Sequence, residues 1–160
     1  MNTVFLTDGI SHSSKYYSYF PGDVVLGKSD LERGFSVSRK FRHCFINPIT
    51  KKPGWWSHTV GPSKAIDTNK FFVICANVLG GCMGSYGPNS IDPKTNKTFG
   101  TNFPVITIND MVNAQYNLLE FFEIEKLFCV VGGSMGGMQA LQFVANFPDK
   151  TKTAIPIACT

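Results

Sequence analysis

The residues best equipped for chemistry are Gly132-Gly133-Ser134-Met135-Gly136, a serine with a glycine two positions to either side. Five apolar residues, Leu127 to Val131, run into this segment, and a helix-like stretch through Met138, Ala140 and Leu141 follows it. The spacing fits G-x-S-x-G, a sharp strand-to-helix turn that lifts a serine hydroxyl above a sheet. Such a turn costs on the order of 1 to 3 kcal/mol of backbone strain and persists only where neighbouring side chains add no clash. Gly132 and Gly136 remove them, and Gly133 and Gly137 complete a glycine-rich elbow. A helix beginning near Met135 points its free N–H groups and positive dipole end at the serine, which suits an oxyanion on a bound acyl group. The Met135 N–H is the expected donor.

Other readings of the same glycines fail on spacing. A dinucleotide fingerprint needs glycine at the first, third and sixth positions, and the third position from Gly132 is Ser134. Gly132 and Gly137 meet the P-loop spacing, but Met138-Gln139 stands where Lys and Ser or Thr must follow. A plain glycine-rich turn with an idle serine remains the alternative.

The flanking pattern supplies the elements that must hold the serine. Phe71 to Ala76 is a continuous apolar run, as expected of a strand covered on both faces. A long glycine-rich loop follows to Phe103. Asn109 or Asp110 is placed to cap a helix with Val112, Tyr116, Leu119 and Phe122 on one face. Leu127–Val131 is the next strand; the helix after the serine carries Met138, Leu141 and Ala145 on one face and stops before Pro148; Ala154 to Ala158 is a further strand. This alternation predicts an α/β fold, a mostly parallel sheet with helices on both faces, and Ser134 at the carboxyl edge where ligands of such sheets sit. Earlier in the chain, Tyr16 to Phe20 and Val24 to Leu26 are short strand candidates. Residues 47–62 read as a loop anchored by Trp55-Trp56, an aromatic pair suited to packing.

With 160 residues, 43% hydrophobic and 16% charged, the chain has the composition of a soluble globular protein. No apolar run of membrane-spanning length and no secretion-signal core occurs, so no membrane association and a cytoplasmic location are expected. The net charge is +4. The basic run Arg39-Lys40-Phe41-Arg42-His43 is too short for a nucleic-acid footprint, and no nucleic-acid partner is expected. The five cysteines are odd in number and show no metal-ligand spacing, so reduced thiols and no metal are expected. Cys75 and Cys129 sit in strand-like runs as small core residues. Cys82 is a rival nucleophile with no evident histidine partner.

A serine hydroxyl needs a base, normally a histidine oriented by a carboxylate, and on this kind of sheet the three follow in the order Ser, Asp or Glu, His. After Ser134 the sequence holds one carboxylate, Asp149, and no histidine; His12, His43 and His58 all precede it. Asp149 is expected at the far end of the helix, away from the serine. The triad is therefore expected to be incomplete in this chain.

Several blocks resemble the homoserine O-acetyltransferases, acyltransferases of the α/β-hydrolase fold. They are Pro53-Gly54-Trp55-Trp56, the segments 61–68 and 72–85, Gly87-Pro88, Phe103 to Ile108, Asp110-Met111-Val112 and Val130 to Leu141. The resemblance covers about 115 residues, and it implies that 45–160 is the N-terminal half of an α/β-hydrolase core without lid or C-terminal half. It sets 1–44 apart as a divergent segment. It further implies acyl transfer from acetyl-CoA, a co-substrate rather than a bound cofactor, through Ser134 to the hydroxyl of L-homoserine, a step of methionine biosynthesis. A homodimer is left open for full-length members, and nothing follows for this chain's assembly. The family's second oxyanion donor comes from a strand-end loop of His-Ala-Leu-Thr-Gly type; Arg42-His43-Cys44-Phe45 stands in roughly that region without matching it. On this reading the chain alone is expected to be an inactive, truncated remnant. A non-catalytic interaction protein that keeps the half-fold, and an esterase on the same fold, are the alternatives.

Overall fold

The computed structural model describes residues 2–7, 55–76, 78–81 and 85–159. Elements in chain order are β1 (Thr3–Thr7), a 3-10 turn at Trp55–His58, β2 (Val60–Gly61), β3 (Ile66–Asp67), β4 (Phe72–Ala76), β5 (Ile91–Asp92), β6 (Lys97–Thr98), a 3-10 turn at Gly100–Asn102, α1 (Ile108–Phe121), β7 (Leu127–Gly133), α2 (Met135–Asn146), a 3-10 turn at Pro148–Lys150 and β8 (Thr151–Ile157). The main sheet has the order β4-β1-β7-β8 and every pairing in it is parallel.

The period-2 alternation of the strands sorts their side chains into two cores. Phe5, Ile74, Val130 and Ala76 face the helices and join Val112, Leu119, Ala140 and Phe143 in one apolar cluster. Val4, Leu6, Val73, Cys129 and Val131 face the other way, onto Trp56 and Val60. The parallel, doubly covered sheet expected from sequence is present. Among the described residues both α-helices lie on one face, and the other is covered by the Trp56–Val60 segment.

Of the segment set apart as 1–44, only residues 2–7 are among the described residues, and they contribute a strand to the main sheet. Thr3–Thr7 lies between β4 and β7, with Val4 paired to both Val73 and Cys129, and all five of its residues are buried. Its shortness and its two threonines hid it from a search for apolar runs. The strand candidates at Tyr16 to Phe20 and Val24 to Leu26 lie outside the described residues.

Helix α1 starts two residues earlier than a cap at Asn109 allows, and three earlier than one at Asp110. Thr107 is its N-cap: the Thr107 hydroxyl accepts from the Asp110 N–H, while the Asp110 carboxylate accepts from the Thr107 N–H at 2.8 Å, a reciprocal capping box. In α2, the face carrying Met138, Leu141 and Ala145 turns outward, leaving Leu141 51% exposed. The core face is Gly136, Gly137, Gln139, Ala140 and Phe143. Small residues win that face because the helix lies so close to the strands. A Cβ on Gly137 would stand 2.8 Å from the Cys159 Cβ and 3.0 Å from the Ile157 carbonyl oxygen.

Candidate functional site

Ser134 is the single residue between the last residue of β7 and the first of α2. Its backbone adopts φ 56°, ψ −124°, a conformation that costs a non-glycine residue on the order of 1 to 3 kcal/mol. Two hydrogen bonds hold it there: the Ser134 N–H donates to the Ile157 carbonyl at 2.9 Å, and the Ser134 carbonyl accepts from the Met138 N–H at 3.2 Å. Ser134 occupies the N-cap position, yet its side chain caps nothing, and the residue is exposed. The hydroxyl is thus available at the surface of the turn. Met135, the first helical residue, has no intrahelical acceptor for its N–H, which opens beside Ser134 at the positive end of the α2 dipole.

The strand order gives this turn its place in the sheet. From β1 the chain proceeds to β4 on one side, and from β7 to β8 on the other. The carboxyl ends of β1 and β7 therefore flank a topological switch point, where ligands of open parallel sheets bind. Thr7 ends β1 opposite Gly132 of β7, one turn from Ser134.

The glycines do not contribute equally. A Cβ on Gly132 would overlap the Thr7 hydroxyl and the Gly136 carbonyl, so the β1 end and the first turn of α2 close over that position. At Gly133 a Cβ would meet nothing within 4 Å, so crowding does not require glycine there.

Thr7 escaped the sequence reading altogether. It is fully buried, and its Oγ1 lies 2.7 Å from the Gly136 carbonyl oxygen and 3.3 Å from that of Val131. Its place between the apolar triplet Val4-Phe5-Leu6 and the turn signal Asp8-Gly9 was the available clue. A second polar group missed was Gln139. It is buried in the core face of α2 and accepts from the Gln115 side-chain amide of α1, tying the two helices together.

The other candidates are not gathered at Ser134. His58 is exposed in the turn Trp55–His58, and Asp149 lies in the 3-10 turn beyond the far end of α2. His12, His43 and Cys82 fall outside the described residues. Among the described residues no histidine hydrogen-bonds Ser134. Cys129 is buried, and burial pushes its thiol up and away from the reactive thiolate, as suits a core residue. Among the described residues no group of three or more His, Cys, Asp and Glu is placed to hold a metal ion. No described helix is long and apolar enough to cross a membrane. The strand paired with β7 on the side away from β8 is β1. The Arg42-His43-Cys44-Phe45 region lies outside the described residues.

Comparison with known proteins places these features. The sequence profile of the alpha/beta hydrolase fold matches residues 41–158. The homoserine O-acetyltransferase of Pelagibacter ubique (strain HTCC1062) is 79% identical over 115 residues, 72% of this chain and 31% of that protein. That of Mesorhizobium japonicum is 59% identical over 112 residues, 70% of this chain and 29% of that protein. The chain thus spans under a third of the length of these relatives. Among solved structures, homoserine O-acetyltransferase from Bacillus anthracis superposes with a TM-score of 0.67 at 30% identity, covering 96% of this chain and 36% of that one. An esterase, E22, superposes with a TM-score of 0.68 at 33% identity, covering 94% and 35%.

Proposed function

Since the chain belongs to the α/β-hydrolase fold family, we propose that it is the nucleophile-bearing portion of a homoserine O-acetyltransferase, with Ser134 as the residue that carries the acetyl group. In the first step the Ser134 hydroxyl attacks the thioester carbonyl of acetyl-CoA. Its proton passes to a base, and the negative charge collects on the former carbonyl oxygen. The Met135 N–H, fixed at the start of α2, donates to that oxygen without reorganising, the arrangement that makes oxyanion stabilisation effective. Collapse breaks the carbon–sulfur bond, releases CoA as the thiol and leaves acetyl-Ser134. In the second step the hydroxyl of L-homoserine attacks the ester, and O-acetylhomoserine leaves as Ser134 regains its proton. Cytoplasmic methionine biosynthesis is the setting this reaction implies.

The observation that carries the reading is the strained, uncapped Ser134 at the switch point, within a chain 79% identical over most of its length to one homoserine O-acetyltransferase. Without a base, turnover falls by a factor on the order of a million in a serine hydrolase. If the triad is completed by residues outside this chain, as the sequence leads one to expect, the measurable event in this chain alone is a single acetylation. Incubation with acetyl-CoA is expected to add one acetyl group to Ser134, located by peptide mass spectrometry, and none to Ser134→Ala. Acetyl found on lysines or cysteines and absent from Ser134 overturns the proposal.

The likeness to esterase E22 favours a second reading, in which water takes the place of homoserine. Release of acetate from simple acetyl esters, with no acetyl passed to homoserine, decides for it.

A further inference from the structure

The buried hydroxyl of Thr7 has no part in the chemistry above, yet it touches both sides of the elbow. Carbonyl oxygens only accept, so the one Thr7 hydroxyl proton must go to Gly136, at 2.7 Å, or be shared with Val131, at 3.3 Å. Gly136 lies in the first turn of α2, directly after the oxyanion donor Met135, and Val131 lies in β7, three residues before Ser134. Thr7 itself belongs to the neighbouring strand and is paired with Gly132. One side chain thus ties the end of β1 to the strand entering the turn and to the helix leaving it. The missing Cβ at Gly132 is what admits it.

The turn has a reason to need such a tie. Ser134 at φ 56° stores strain that would relax if the first turn of α2 could lift away from the sheet. The two backbone bonds of Ser134 fasten it to the β8 side and to its own helix. Thr7 is the fastening on the β1 side, at the crevice itself.

We propose that Thr7 is a positioning residue: its hydroxyl, bonded to the Gly136 carbonyl, holds the first turn of α2 so that Ser134 Oγ and the Met135 N–H face the same point in the crevice. The proposal rests on the reading of Ser134 as the nucleophile. A small displacement of a reacting group is enough to cost about a hundredfold in rate, so loss of the hydroxyl acts on the rate of acylation and not on reagent affinity.

The test compares Thr7→Val, which keeps the shape without the hydroxyl, with Thr7→Ser, which keeps the hydroxyl without the methyl. Each full chain is treated with a fluorophosphonate, in which Ser134 Oγ bonds phosphorus, fluoride leaves and the hydroxyl proton goes to solvent. Ser134→Ala is the blank. Thr7→Val is expected to lower the limiting labelling rate by about tenfold or more at unchanged half-saturation, while Thr7→Ser stays within about twofold of the parent. In parallel, amide exchange at Met135 to Met138 accelerates in Thr7→Val alone. Labelling of Thr7→Val at the parent rate overturns the proposal, as does a tenfold loss in Thr7→Ser, which remains decisive if Thr7→Val does not fold. Absence of labelling in the parent chain counts against the nucleophile reading instead. In that event unchanged exchange at Met135 to Met138 in Thr7→Val refutes the tie, and faster exchange supports it.

Discussion

At the scale of single residues, the elbow divides into positions that crowding dictates and positions that it does not. Gly132 is closed in by the Thr7 hydroxyl and the Gly136 carbonyl, whereas Gly133 faces open space. Gly132→Ala is expected to cost about 1 to 3 kcal/mol in urea unfolding, the usual range for overpacking, and Gly133→Ala less than about 0.5 kcal/mol. Equal losses at the two positions contradict this account. The Ser134 turn was legible in the sequence because its signal is local, a serine with a glycine two positions to either side. Thr7 was not, because its importance comes from a partner 129 residues away, and no window along the chain brings the two together.

At the scale of elements, apolar periodicity identified α2 but not which of its faces meets the sheet. Met138, Leu141 and Ala145 line an open groove of about 300 Å³ with Cys159, while Gly136, Gly137, Gln139, Ala140 and Phe143 form the buried face. Closeness of backbones, not bulk, selects that inner face, and hydropathy alone cannot register it. Leu141→Gln is therefore expected to change stability by less than about 0.5 kcal/mol, and Phe143→Ala to cost about 3 to 5 kcal/mol, as measured by chemical denaturation. For α1, the capping box holds the Asp110 carboxyl below its ordinary value, through the Thr107 hydroxyl first and the Thr107 N–H second. At the end of β3 the N–H groups of Asn69 and Ser63 do the same for Asp67, with Lys70 adding to them at 3.6 Å. Both groups are depressed, so their contribution is complete above the ordinary carboxylate range and is lost as pH falls through the folded-state values. Amide exchange, corrected for its intrinsic pH dependence, is expected to quicken at the start of α1 on acidification. In Asp110→Asn that acid-dependent step disappears.

At the scale of the molecule, the alternation of strands and helices was enough to read a parallel sheet and to put Ser134 on its carboxyl edge. What it could not supply was strand order, since β1 enters the sheet between two partners much later in the chain. Among the described residues β8 is an edge strand of the main sheet. The carbonyl of Ile157 points inward to Ser134, so the alternate residues Lys152, Ala154 and Pro156 turn their backbone groups to the open rim. At Pro156 that rim offers no donor, and proline is tolerated in a strand at such a place.

The position of β1 also has a consequence in time. Synthesis delivers Thr7 124 residues ahead of Val131, the carbonyl it will meet, whereas β7, α2 and β8 emerge in immediate succession and close only short loops. Because long-range closure is the slower event, the β7-α2-β8 unit is expected to gain exchange protection first in pulse-labelled refolding, with Val4 to Leu6 last. On that order of events the β1 side of the turn, where Thr7 meets Gly132, is the last part of the sheet to take shape.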